Sequence, residues 1–228
     1  MTETTAGQRF GQGPLSRASA LVYHLMVVEL LFLATTLPGL AGLVLLAHDA
    51  ANIPLAAVCL LPAGPALSAA LYALRHRRLD LADLRPAAAF WRGYAMNVRG
   101  VAKIWVPSLA WLTVVGINLA HLGAGGVPGW WAMLLVVVGA LAVLWTANAL
   151  VITSLFEFRG RDVARLAAYF LLRTPRVALV NACLLVVAAG VTLVATEAAL
   201  ALLASVFASL LLLNSRPLIA EVRDTFIA

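Results

Sequence analysis

Charge is what this sequence has least of. Of its 228 residues only 11% are Asp, Glu, Lys or Arg, against about 25% in an ordinary soluble domain. With 63% hydrophobic residues, the chain cannot cover a water-facing surface, and a soluble globule of this size is excluded. Cysteine is scarce as well. Cys59 and Cys183 both lie inside apolar runs and read as small buried hydrophobes, which leaves neither a disulfide framework nor a zinc site. The four histidines form no His-Glu-x-x-His pair, which argues against an intramembrane metalloenzyme. There is no Gly-x-Ser-x-Gly elbow, no phosphate-cradling glycine loop and no Walker-type lysine, so a serine hydrolase or an ATPase lacks support. The chain reads as non-enzymatic, with no metal and no cofactor.

What the sequence has instead is length without charge. The runs 50–74, 104–156 and 177–196 contain no charged residue, and each reaches or exceeds the ~20 residues needed to cross a bilayer core. Cutting the apolar sequence at polar or Gly/Pro breaks gives six spans, about 20–47, 53–74, 104–122, 129–156, 177–196 and 198–214. The breaks at His48-Asp49-Ala50-Ala51-Asn52 and Gly123-Ala124-Gly125-Gly126-Val127-Pro128 are plain. The break near Thr196-Glu197 is inferred from length, since residues 177–213 as one helix would run about 55 Å, far beyond a ~30 Å core. The first apolar run is too long for a signal-peptide core and no small-residue cleavage site follows it, so it reads as a retained span. The expected fold is an all-α polytopic bundle of six transmembrane helices. Residues 1–17 form a flexible cytoplasmic tail, 18–220 a single membrane domain, and 221–228 a short cytoplasmic tail.

Arginine orients this bundle. The formal charge is +6, and fifteen of the sixteen basic residues are Arg, Lys103 being the exception. With the N-terminus inside, segments 1–19, 75–103, 157–176 and 215–228 hold every basic residue, while the outside loops hold only Asp49 and Glu197 among charged residues. That split follows the positive-inside rule and places both termini in the cytoplasm. It also makes orientation, rather than nucleic-acid binding, the meaning of the basic excess. The Arg, Ala, Leu and Val bias points to a GC-rich bacterial genome, hence a bacterial plasma membrane.

Two inside segments read as amphipathic inner-leaflet helices. In 80–100, Arg85, Arg92 and Arg99 recur every seven residues beside an apolar stripe of Leu84, Ala88, Trp91, Ala95 and Val98. In 161–173, Arg161 and Arg165 share one face, and Val163, Leu166, Ala167 and Phe170 another. These arginines are candidate contacts for anionic lipid headgroups or for a cytosolic partner.

Two features lie deep in the spans. Pro62-Ala63-Gly64-Pro65 interrupts the second span near the bilayer midplane, and each proline frees a carbonyl one turn earlier. Pro62, Gly64 and Pro65 therefore mark either a packing kink or a broken helix that builds a binding site. Ala66, Ala69, Ala70 and Ala73 follow at helical spacing, a face suited to close packing. Glu29, near mid-membrane, costs several kcal/mol there as a charged group. It is either a structural hydrogen-bonding group, with Asn118, Asn148 or Thr146 as candidate partners, or a proton, cation or substrate site. Glu197 reads as the cap of an outside turn. His24, Asn97, Asn118, Asn148 and Asn181 read as interhelical glue.

The pattern Leu61-Pro62-x-Gly64-Pro65-Ala66-x-x-Ala69-Ala70-Leu71-Tyr72 resembles the signature of the YesL-like family of bacterial integral membrane proteins. Phe90…Asn97, Phe156-Glu157-Phe158-Arg159 and Asn214-Ser215-Arg216 are similar to further elements of that family, and the resemblance spans about 18–220. A longer stretch before the proline motif, including 48–52, is a difference. The resemblance implies a domain of unknown function often associated with carbohydrate uptake, with no catalytic residues to carry over. The segment 87–107 is also similar to the coupling loop of ABC importer permeases, through Ala88, Ala89, Gly93, Ile104 and Pro107. Ala87, however, stands where the acidic residue belongs, and Ile104 and Pro107 come one position late. The expectation is a non-enzymatic component of a membrane transport system. Its partners would be the anionic inner leaflet and either ABC-type subunits or a second copy of itself. A self-sufficient small-solute transporter or a structural assembly protein are the alternatives.

Overall fold

The computed structural model describes residues 14–47, 49–77, 85–125 and 128–226. Every regular element among them is helical. In order these are α1 (Pro14–Leu45), a single 3-10 turn (Ala50–Asn52), α2 (Ile53–Cys59), α3 (Ala63–Arg75), α4 (Pro86–Ala120), a second 3-10 turn (Leu122–Gly125) and α5 (Trp130–Leu155). They are followed by α6 (Gly160–Arg173), α7 (Pro175–Val194), α8 (Glu197–Ala201), α9 (Ala204–Asn214) and α10 (Arg216–Phe226). Four helices, α1, α4, α5 and α7, are long and apolar enough to cross a membrane. The pair α2–α3, bent by 41°, and the pair α9–α10, bent by 51°, raise the count to at most six if each is one broken span. The chain is a membrane-embedded, all-helical protein.

The centre of the bundle is α3. Its small-residue face is fully packed: Ala66, Ala69, Ala70 and Ala73 are 0–1% exposed. Such side chains let α1, α4, α5 and α9 approach its backbone closely, and these four helices surround it. Val28 of α1, Leu71 and Leu74 of α3, Phe90 of α4, Val151 and Ile152 of α5 and Ala208 of α9 complete the apolar core. By contrast α7 fully buries only Val177 and Asn181, its other residues being half-buried or exposed.

Several boundaries differ from expectation. The tail assigned to 1–17 is helical from Pro14, a residue that suits a first helical turn. The segment 80–100 is not a separate inner-leaflet helix: from Pro86 it runs without a break into the third span, giving a 35-residue α4 about 52 Å long. Only Gly100 and Lys103 separate the amphipathic and apolar parts, and neither stops a helix. Residues 80–84 of that segment lie outside the described residues, as do 1–13, His48 and Arg78. The second amphipathic helix does form, as α6, but its apolar stripe does not lie in the leaflet. Val163, Ala167 and Phe170 are 0–1% exposed and close the end of the bundle against the core. The expected tail after 220 is instead the amphipathic α10, whose Leu218, Ile219 and Val222 are buried in the same way.

The break near 196 is real. Thr196, rather than Glu197, caps α8, its Oγ1 accepting from the Ala199 N–H at 3.3 Å. The chain then doubles back, and Asn214 Nδ2 donates to Val177 O at 2.9 Å across the hairpin.

Candidate functional site

Three polar places in the bundle could carry function: the proline break, the Glu29 carboxylate and the arginine-rich end of α1, α3 and α4.

At the break, α2 stops at Cys59 and α3 resumes at Ala63. A continuous helix would give the Ala63 N–H to Cys59 O, but here it goes to Leu60 O at 3.1 Å. The Cys59 carbonyl instead lies directly over Gly39 of α1, where any Cβ would overlap it. Leu60 O also accepts from the Trp105 indole N–H of α4 at 3.0 Å, and the Trp105 ring occupies the space a Gly64 side chain would need. Gly64 and Pro65 are buried and Pro62 half-buried. The glycines on both sides are thus explained by close approach, and one loosened carbonyl, Leu60 O, is taken up by a neighbouring helix, as apolar surroundings require.

Glu29 faces a second break, which the sequence does not announce. Between α8 and α9 the chain reads Ala201-Leu202-Leu203-Ala204, all sound helix formers. An unbroken helix would direct the Ser205 N–H to Ala201 O. Glu29 Oε2 takes that N–H instead, at 2.7 Å. The carboxylate therefore acts as an N-terminal cap delivered from another helix, where the positive end of α9 favours it. Its Oε1 is buried with no hydrogen-bond partner among the described residues. None of the anticipated partners reaches Glu29. Thr146 donates to Ala142 O at 2.7 Å, with its Oγ1 3.1 Å from Ser108 Oγ. Asn118 donates to Val114 O on its own helix. Asn148 pairs with Asn181 at 3.5 Å.

Glu29 and the proline break are not brought into one site. His24 meets Ala73 and Gly39 meets Cys59, so α1 and α3 run antiparallel with Glu29 level with Ser68 and Ala69. That is about one turn from Pro65 and two from Pro62.

The remaining polar side chains tie helices together. Asn181 Oδ1 accepts from Asn214 Nδ2 at 2.7 Å, so Asn148, Asn181 and Asn214 form a ladder from α5 through α7 to α9. Ser154 donates to Ser68 Oγ at 2.8 Å, and Asn97 donates to Ser154 O at 3.2 Å.

The third place was read only in part from the sequence. Arg85 and Arg92, one stripe of α4, line a cleft of about 400 Å³ together with Ala88, Ala89, His24, Tyr72, His76 and Arg77. Arg99, on the same stripe, is exposed and lies beyond it. Arg161 and Arg165 are exposed on α6 and are not among the residues that line the cleft. The two histidines cap the end of α3: His24 Nε2 lies 3.2 Å from Ala73 O and His76 Nδ1 3.0 Å from Tyr72 O. Both positions suit the negative end of a helix. The Tyr72 and His76 rings lie in tilted contact, 4.2 Å between centroids, and Gly93 of α4 lets Tyr72 pack against its backbone. His24, Tyr72, His76 and Arg77 are the site residues that sequence reasoning missed. The signal available was the end of an apolar run in His76-Arg77, combined with His24 one helix away. Among the described residues no group of His, Cys, Asp and Glu could hold a metal ion. Compared with known proteins, the chain matches no family model, no curated protein and no solved structure.

Proposed function

We propose that this protein is a non-enzymatic component of a membrane transport system in a bacterial plasma membrane. It crosses the membrane six times, with both termini and all its arginines on the cytoplasmic side. The observation that carries this reading is α4. One uninterrupted helix leads from an arginine-bearing end, with Arg85, Arg92 and Arg99 exposed, through the whole bundle to Ala120. A subunit docked on that end would be joined to the membrane core through one continuous helix, which carries Pro107 in its interior and packs along α3. The partial likeness of 87–107 to a permease coupling loop supports this, and the YesL-like resemblance supports a link to carbohydrate uptake.

A structural or assembly role is the second reading, favoured by the close-packed alanine face of α3. The test is crosslinking of the tagged protein in native membranes, followed by identification of what co-purifies. Recovery of a permease or nucleotide-binding subunit, lost on Arg99→Ala with Arg161→Ala, upholds the transport reading. Recovery of the protein alone or of its own copies transfers the weight to assembly.

A further inference from the structure

We propose that the pocket where α4, α5 and the first turn of α6 meet is a binding site for a phosphate group, supplied by an anionic lipid and held by Lys103, Arg159 and the open amides of α6. This goes beyond the transport reading and stands whether or not that reading holds.

α6 begins without a side-chain cap. Arg159 stands at its N-cap position and its side chain bonds none of the first amides. The Asp162 and Val163 N–H groups both turn to Arg159 O, at 2.8 and 3.0 Å. Those of Gly160 and Arg161 have no acceptor among the described residues. A 14-residue helix thus presents open donors at its positive end, the arrangement that takes up phosphate. Gly160 and Arg159 line a pocket of about 200 Å³ with Lys103 of α4 and Thr153 of α5. Thr153 Oγ1 is buried and has no hydrogen-bond partner, a polar group whose partner the protein does not supply.

The charge on this pocket is not spent within the chain. Neither Lys103 nor Arg159 forms an ion pair. Glu157 and Asp162, the carboxylates nearest to Arg159 in sequence, are exposed and paired with neither cation. Asp80 and Asp83 belong to the stretch between Arg77 and Arg85, and Arg85 precedes Lys103 by about 27 Å along α4. Arg77 lies toward that same far end, because Tyr72 of α3 packs on Gly93. An ammonium and a guanidinium brought to one small pocket repel each other, and a phosphate bearing two anionic oxygens offsets that.

Walls and depth decide the source. Ile104 and Val163, 5% and 1% exposed, give the pocket an apolar floor, and Phe158 adds to it. A lipid carries its phosphate beside apolar chains that such walls accept, whereas a free phosphate is hydrated on every side. From Lys103 to the end of α4 at Ala120 is about 26 Å, close to the ~30 Å of a hydrocarbon core. Lys103 therefore lies where the core gives way to headgroups.

The test uses the full chain in neutral detergent. Binding of short-chain phosphatidic acid, short-chain phosphatidylcholine and inorganic phosphate is measured by native mass spectrometry. Phosphatidic acid should bind about tenfold or more tightly than phosphatidylcholine, and Lys103→Gln with Arg159→Gln should abolish that preference. Arg165→Gln with Arg176→Gln, the same charge change at exposed positions outside the pocket, should leave it within about twofold. Gly160→Asp serves if the double variant folds poorly. A Cβ at Gly160 meets nothing within 4 Å and an acidic residue suits a first helical turn, so this variant should fold like the parent yet lose the preference. Gly160→Asn, without the charge, should keep it. Inorganic phosphate binding with the same Lys103 and Arg159 dependence would uphold the phosphate site and make its source a soluble ester. Equal losses from both basic pairs, or a Gly160→Asp variant that binds like the parent, would overturn the proposal. So would the lack of preference for phosphatidic acid together with no phosphate binding.

Discussion

Replacing Gly39 by alanine should separate a closed proline break from an open one. In a helix interior Gly→Ala ordinarily stabilises by about 1 kcal/mol. At Gly39 the new methyl would land on the Cys59 carbonyl, with the Pro62 ring also in contact at 3.2 Å. The obstacle is backbone, which cannot rotate aside, so the upper part of the ~1–3 kcal/mol range for overpacking applies. The net effect is a loss of about 1–2 kcal/mol. Gly190 of α7 is the control, because a Cβ there meets nothing within 4 Å, and Gly190→Ala should gain about 1 kcal/mol. At roughly 2–4 °C per kcal/mol for a chain of this length, thermal melts in detergent should place Gly39→Ala about 3–6 °C below the parent. Gly190→Ala should melt at or slightly above it. If Gly39→Ala melts as high as Gly190→Ala, Cys59 O does not rest on α1, and the break is loose enough to open.

Two further perturbations probe the polar contacts within the bundle. Glu29→Leu leaves the Ser205 N–H without its acceptor and should cost about 1–3 kcal/mol. Glu29→Gln, which keeps a carbonyl oxygen there, should cost under about 1 kcal/mol. Hydrogen exchange at Ser205 and Val206 reads this directly, and unchanged protection in Glu29→Leu would refute the cap. Asn181→Ala cuts the ladder holding the otherwise lipid-facing α7, for a loss of about 0.5–2 kcal/mol. Proteolysis should then reach the α7–α8 turn sooner, and an unaltered cleavage rate would show that the ladder adds nothing.

The apolar runs made the helices legible, because roughly twenty residues without charge admit few structures other than a membrane-crossing helix. The proline break was legible too, together with the alanine face that follows it. What packs against the break was not, because Gly39 and Trp105 are distant in sequence and only the fold brings them to Leu60 and Cys59. Glu29 was visible as costly, yet its partner is a backbone amide in a stretch of good helix formers, and the break there is made by tertiary contact. The expected separation of 80–100 from the third span takes Lys103 as a boundary, although lysine does not end helices, and from Pro86 the structure fuses the two. Leu218, Ile219 and Val222 carried the pattern of α10, at a spacing that marks one helical face. In the cleft, Arg85 and Arg92 were found through their seven-residue repeat. His24 lies on α1 and His76 and Arg77 just past the end of α3, and they share no period with the two arginines.

All the functional readings depend on which side of the membrane the arginine-rich end occupies. With Cys59 and Cys183 first replaced by alanine, single cysteines at Asp49 and at Arg161 can be exposed to a membrane-impermeant maleimide in intact cells. The account predicts rapid labelling at Asp49 and labelling at Arg161 only after permeabilisation. Labelling at Arg161 in intact cells, with Asp49 protected, would place the arginine-rich end outside and contradict it.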